Sequence, residues 1–111
     1  MELSSEPRDG YLAIHVEGDK IDAAAVKQFK ERMKQLTQET TGPVVLDMSQ
    51  VTFLDSSGLG AIVAAMKTLG PERPLELAGL TPTVRKVFRL TRMETIFPIH
   101  PSLPNTLAHA G

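Results

Sequence analysis

Cysteine is absent from these 111 residues, which removes both a disulfide framework and any thiolate metal site and suits a reducing compartment. An excess of one charge is missing too. Twelve Lys and Arg stand against 13 Asp and Glu, a net of −1 with neutral histidines, so composition supplies no general electrostatic attraction to nucleic acid or membrane, and direct DNA binding is not expected. No apolar run approaches the roughly 20 residues that cross a bilayer, so membrane insertion is not expected either. The first residues, Met1 to Glu6, lack the basic start and apolar stretch of a secretory signal. A cytoplasmic protein is the default expectation. Internal repeats and low-complexity linkers are lacking. His15, His100 and His109 show no metal-ligand spacing and no adjacent acidic cluster, so no metal and no other cofactor is expected. Neither Gly-x-Ser-x-Gly nor a Gly-x-x-x-x-Gly-Lys phosphate loop occurs, which leaves a hydrolase reading weak and nucleotide binding unsupported.

What is present fits one soluble domain. The length leaves no room for two, so residues 1–111 are read as a single unit with its core over about 8–109. A hydrophobic fraction of 41% with 23% charged residues is enough to bury a core without staples.

Arg8-Asp9-Gly10 signals a turn, and Leu12, Ile14 and Val16 alternate over residues 11–16 as a strand does. Its partner is a weaker strand over 2–7, placed at an edge by Pro7. Asp22 precedes three alanines as a helix cap, and Val26, Phe29, Met33 and Leu36 follow at helical spacing with lysines opposite. Residues 44–48 are nearly all apolar, as in a central strand covered on both faces. Residues 75–78 form a short strand, and Thr81-Pro82 opens a third helix with proline at its first position. Residues 96–99 are a final strand, demoted to an edge by Pro98, and residues 101–108 are expected to form a short helix anchored by Leu103 and Leu107. After the hairpin, strands alternate with helices. The expected class is α/β, a mixed and mainly parallel sheet with an N-terminal hairpin and about four helices.

Between the central strand and a second helix over about 56–69 lies Asp55-Ser56-Ser57-Gly58-Leu59-Gly60. A serine at that junction exposes its hydroxyl near the N–H groups that a first helical turn leaves unpaired. The local partial positive charge favours an added phosphoryl group. Local physics alone leaves Ser56 equally suited to capping the helix. Asp55 complements the helix end, Ser57 reads as structural or interfacial, and Gly58 and Gly60 imply close packing. Around the helix, Leu59, Ile62, Val63, Met66 and Leu69 are expected in the core. The opposite face, Ser57, Ala61, Ala64, Ala65 and Thr68, carries no charge, with Lys67 at its margin; together with Gly58 and Gly60 it is read as a docking surface. Arg85, Lys86, Arg89 and Arg92 cluster on the third helix and are read as a solvated face.

The run Val44-Val45-Leu46-Asp47-Met48 through Asp55-Ser56-Ser57-Gly58-Leu59-Gly60 resembles the signature of STAS domains, and more specifically of bacterial anti-sigma factor antagonists. The resemblance extends to residues 16–22 and 82–88 and so covers nearly the whole chain. It implies a non-enzymatic STAS domain acting by partner switching. The unphosphorylated form would bind an anti-sigma factor that is also a serine kinase and thereby free the sigma factor. Phosphorylation at Ser56 would end binding, and a serine phosphatase would reset it. Asp22 would be the family's acidic residue near the phosphosite. The same resemblance also admits a subunit or scaffold of a transport or stressosome-like complex without a serine switch. Arg92 departs from the family pattern, where glycine is common, as does the Asp19-Lys20 pair.

Overall fold

The computed structural model describes residues 1–107. Strand β1 (Glu2–Arg8) turns through Asp9 and Gly10 into β2 (Tyr11–Glu17), with Arg8 opposite Tyr11 and Leu3 opposite Val16. Gly10 takes φ +85°, the left-handed conformation that glycine adopts without steric penalty. A two-residue β3 (Lys20–Ile21) leads to a single 3₁₀ turn (Ala23–Ala25) and then α1 (Val26–Thr37). There follow β4 (Val44–Asp47), a two-residue β5 (Phe53–Leu54), α2 (Ser56–Leu69), β6 (Leu75–Ala78), α3 (Pro82–Leu90), a second 3₁₀ turn (Met93–Thr95) and β7 (Ile99–His100).

The main sheet runs β1-β2-β4-β6-β7. The first pair is antiparallel, and β2, β4, β6 and β7 are parallel. This is the α/β class, with the mixed sheet and hairpin expected from the sequence. β1, which carries Pro7, and β7, which follows Pro98, are the edges. β4 lies in the middle, with Val44, Val45 and Leu46 all fully buried. β3 and β5 pair separately, parallel, with Ile21 beside Leu54.

Alternation sorts the strand residues to two faces. Leu12, Ile14, Val16, Val44, Leu46, Leu75 and Leu77 join Phe29, Met33, Ile62, Val84, Phe88 and Phe97 in the main core under the helices. Phe88 and Phe97 meet edge to face at 6.0 Å between ring centroids, a geometry favoured by the ring quadrupoles. The other face carries a small cluster, Tyr11, Ala13, Val45 and Ala78, against which Leu103 and Leu107 pack.

Two expectations are corrected at the C-terminal end. The strand begins at Ile99, because Met93–Thr95 forms a 3₁₀ turn and Ile96 is exposed. Residues 101–107 form no helix; Ala108 and His109 lie outside the described residues. Pro104 removes a backbone donor that a helix begun at 101 would need for its first intrahelical bond. The segment instead crosses the hairpin turn as a strap: Thr106 bridges to Asp9, the Leu107 N–H donates to the Asp9 carbonyl at 3.0 Å, and the Tyr11 hydroxyl donates to the Pro104 carbonyl. Three α-helices, not four, are present among the described residues.

Candidate functional site

The junction before α2 is built from β3 and β5. The Asp19 carbonyl accepts the N–H groups of Thr52 and Phe53 at 2.9 and 3.0 Å, which locks the two short strands together. Their register places Asp22 and Asp55, each one residue beyond the pair Ile21 and Leu54, at adjacent strand ends. Asp55 is the N-cap of α2: its Oδ1 accepts the Gly58 N–H at 2.8 Å. Its Oδ2 accepts the Ala23 N–H at 3.1 Å, so one carboxylate closes the helix start and ties it to the turn after β3. Asp22 caps the 3₁₀ turn, accepting from the Ala25 N–H at 3.2 Å. The capping role that local physics also offered to Ser56 thus belongs to Asp55.

Ser56 is the first helical residue and is exposed. Its hydroxyl has no hydrogen-bond partner among the described residues. Ser57 is exposed beside it. Asp55 takes the Gly58 donor, which leaves the Ser56 and Ser57 N–H groups as the first-turn donors that no side chain satisfies. The site is therefore a free hydroxyl at a positive helix end, with two carboxylates nearby that are each occupied by backbone donors.

The rest of α2 is rotated from the expected placement. Gly58, Ala61, Ile62 and Ala65 are the buried residues, the i, i+3, i+4, i+7 stripe of a core-facing helix. Gly58, Ala61 and Ala65 therefore face the interior and are unavailable as docking residues. The cause is close approach: a Cβ on Gly58 would overlap the Ile21 carbonyl and crowd Leu54, so only glycine fits where the helix meets the end of β3. Leu59, Val63 and Met66, expected in the core, are only half-buried at its margin. The outward line is Ser56, Gly60, Val63 and Lys67, at i, i+4, i+7 and i+11, flanked by half-buried Ala64 and exposed Thr68.

Lys67 lies in this exposed line rather than at its edge. Gly60 has open space around the position of an added Cβ, so nothing within the domain requires glycine there. Of the expected docking residues, Ser57, Gly60, Ala64 and Thr68 keep access to solvent. Sequence reasoning put Val63 fully in the core, where it is only half-buried, and put Lys67 at the margin of the outer face instead of on its central line. The available signal was the small-residue stripe itself, which has core periodicity. A cleft of about 350 Å³ opens alongside, between α1 and α2, lined by Met33, Ala64, Ala65 and Leu69 with Lys30 and Lys34.

A second titratable group lies apart, on the sheet face away from the helices. His15 is held by Asp47 at Nδ1 (2.8 Å) and Glu6 at Nε2 (3.0 Å), bridging β1, β2 and β4. Burial works against its charged form, but the two carboxylate hydrogen bonds outweigh it and raise the His15 pKa. The His15 hydrogen bond lowers that of Glu6. Asp47 is also lowered: burial opposes its ionisation, and hydrogen bonds from Ser49 and His15 overcome it. His100 and Glu76 pair nearby at 2.6 Å. Among the described residues no group of His, Asp and Glu could hold a metal ion. Arg85, Lys86, Arg89 and Arg92 are all exposed.

Comparison with known proteins adds the following. The family model for the STAS domain matches residues 2–105. An anti-sigma-B factor antagonist of Staphylococcus aureus is 21% identical over 101 residues, covering 90% of this chain and 93% of that protein. An anti-sigma factor antagonist from Mycobacterium paratuberculosis, known from a crystal structure, superposes with a TM-score of 0.81 at 26% identity, covering 92% of this chain and 86% of that one. The Bacillus cell fate determinant SpoIIAA, solved in its phosphorylated form, superposes with a TM-score of 0.62 at 22% identity, covering 88% and 90%.

Proposed function

This chain belongs to the STAS domain family, and on that premise we propose that it is an anti-sigma factor antagonist. It binds a kinase-type anti-sigma factor when unmodified and releases it when Ser56 is phosphorylated. The role is regulatory and not catalytic. The observation that carries the reading is the Ser56 hydroxyl, exposed and uncommitted at the head of the outward line of α2. The relatives named as antagonists support the antagonist role, and a neighbour of the same fold solved in a phosphorylated form supports a modification switch.

The chemistry is simple. A phosphoryl group adds about −1.5 to −2 charges at neutral pH. The helix end offsets part of the repulsion from Asp22 and Asp55, so the fold tolerates it. In a partner interface over Ser57, Gly60, Val63, Ala64, Lys67 and Thr68 the same group brings bulk and uncompensated charge. That costs several kcal/mol, where about 1.4 kcal/mol is tenfold in affinity. A serine phosphatase reverses the change, and an ATP-dependent kinase partner places the cycle in the cytoplasm. No helix among the described residues is long and apolar enough to cross a membrane.

The test is incubation with the cognate kinase and ATP, followed by intact mass. One phosphoryl group is gained by the wild type and none by Ser56→Ala. Ser56→Asp melts like the wild type but binds the kinase at least tenfold more weakly. Equal binding by Ser56→Asp overturns the switch. Absence of phosphorylation with binding retained favours a transport or stressosome-like scaffold instead.

A further inference from the structure

We propose that the C-terminal end of α3 is a docking surface for an anionic lipid bilayer. On a helical wheel of about 100° per residue, Arg85, Arg89, Lys86 and Leu90 fall within one outward arc, opposite buried Val84 and Phe88. Arg92 follows in a left-handed turn (φ +61°). Leu90 is 72% exposed and Ile96, just past the second 3₁₀ turn, is 45% exposed. None of the four cations has a hydrogen bond or ion pair through its side chain among the described residues. The only carboxylate between residues 80 and 100 is Glu94, and it pairs with none of them.

Like charges at i and i+4, such as Arg85 and Arg89, disfavour a helix unless something outside it compensates. A solvated face accounts for the cations but not for two large aliphatic side chains set among them. Setting these four cations aside leaves 8 Lys and Arg against 13 Asp and Glu, a net of −5. Outside this tip the net charge is acidic, although Lys27, Lys30 and Lys34 form a second exposed basic stripe on α1. An anionic surface attracts the tip, and the exposed Leu90 and Ile96 at this end, which the α1 stripe lacks, distinguish it from that second basic face. Exposed aliphatics on a convex helix end suit the boundary between headgroups and acyl chains, which needs no preformed groove. A nucleic-acid backbone would use the cations and leave Leu90 and Ile96 idle.

The experiment is cosedimentation of the unphosphorylated protein with phosphatidylcholine vesicles and with vesicles of equal parts phosphatidylcholine and phosphatidylglycerol. Binding is expected to the mixed vesicles alone, weakening at physiological ionic strength, where the screening length is about 8 Å. Each cation near such a surface raises partition roughly fivefold, so Arg89→Glu, which removes one charge and adds its opposite, lowers it about twenty-five-fold. Arg85→Glu is the second variant, in case Arg89→Glu melts early. Leu90→Ser lowers partition several-fold. Lys27→Glu on α1 makes the same change in net charge and leaves binding intact. The proposal is overturned if the mixed vesicles do not bind the wild type at low ionic strength. It is equally overturned if Leu90→Ser binds as the wild type does, or if Lys27→Glu weakens binding as much as Arg89→Glu. Retention on polyglutamate or duplex DNA that Arg89→Glu abolishes, without vesicle binding, assigns the patch to an acidic protein or nucleic acid and overturns it too.

Discussion

The Asp55 carboxylate accepts the backbone N–H of Ala23 at 3.1 Å across 32 residues of sequence. Its other oxygen caps α2 through Gly58 at 2.8 Å. Loss of an N-cap alone costs about 1 kcal/mol, and here a tertiary tie is lost with it. Asp55→Ala is expected to lower unfolding free energy by about 2 kcal/mol in urea titration. Asp55→Asn keeps an acceptor for one of the two donors and lowers it by about half as much.

Two glycines two residues apart respond with opposite sign. Gly58→Ala drives a methyl group into the Ile21 carbonyl and destabilises by about 2 kcal/mol, although alanine favours a helix by about 1 kcal/mol. Gly60 faces open space, so Gly60→Ala stabilises by about 0.5–1 kcal/mol. If the outward line of α2 is the partner surface, Gly60→Ala also weakens kinase binding while raising Tm. A Gly60→Ala variant that is more stable and binds unchanged removes Gly60 from that surface.

Arg92 is the only non-glycine at positive φ among the described residues, at +61°. The left-handed conformation costs an L-residue about 1–2 kcal/mol, and glycine returns part of that gain through its freer unfolded chain. Arg92→Gly therefore raises stability by about 0.5–1 kcal/mol, seen as a rise of a few degrees in Tm. Arg92→Ala, which keeps a Cβ, gives no such rise.

The Glu6–His15–Asp47 bridge makes stability depend on pH in a set direction. The His15 pKa is raised above its ordinary 6.5, so its contribution is complete below pH 6.5 and fades as pH rises through the folded value. Asp47 and Glu6 are lowered from 3.8 and 4.5, so theirs is complete above those values and fades in acid. The bridge is strongest between about pH 4.5 and 6.5. His15→Gln is expected to be less stable than the wild type near pH 5.5, by no more than about 1 kcal/mol because the pair is partly exposed. The gap narrows by pH 8, as chemical denaturation at both values will show.

The α/β alternation, the hairpin, the central strand and the Asp55-Ser56 junction were legible because each rests on local pattern: alternation at 12, 14 and 16, an unbroken apolar run at 44–46, a cap before a helix. The facing of α2 was not. A wheel sorts residues by size and assigns Leu59, Val63 and Met66 inward, but the distance between α2 and the Ile21 carbonyl is a tertiary quantity that admits only glycine at position 58 and turns the Gly58, Ala61, Ile62 and Ala65 stripe inward. The absence of a helix over 101–107 was illegible for a similar reason. The acceptor that takes the Leu107 N–H is the Asp9 carbonyl, almost a hundred residues earlier. The position of Arg92 was legible as a departure from glycine, and the left-handed turn now gives that departure its meaning.

The strap over the hairpin turn sets an order of events during synthesis. Tyr11 and Ala13 leave the ribosome early, while Leu103 and Leu107, which shield them, emerge among the last residues described. Until then an apolar patch beside an unfinished edge stays open to other chains. Because the closing contacts join distant parts of the sequence, they form slowly once they can form at all. Nascent copies are thus most vulnerable to clumping in the interval after the hairpin has emerged and before Leu103 and Leu107 have docked on it.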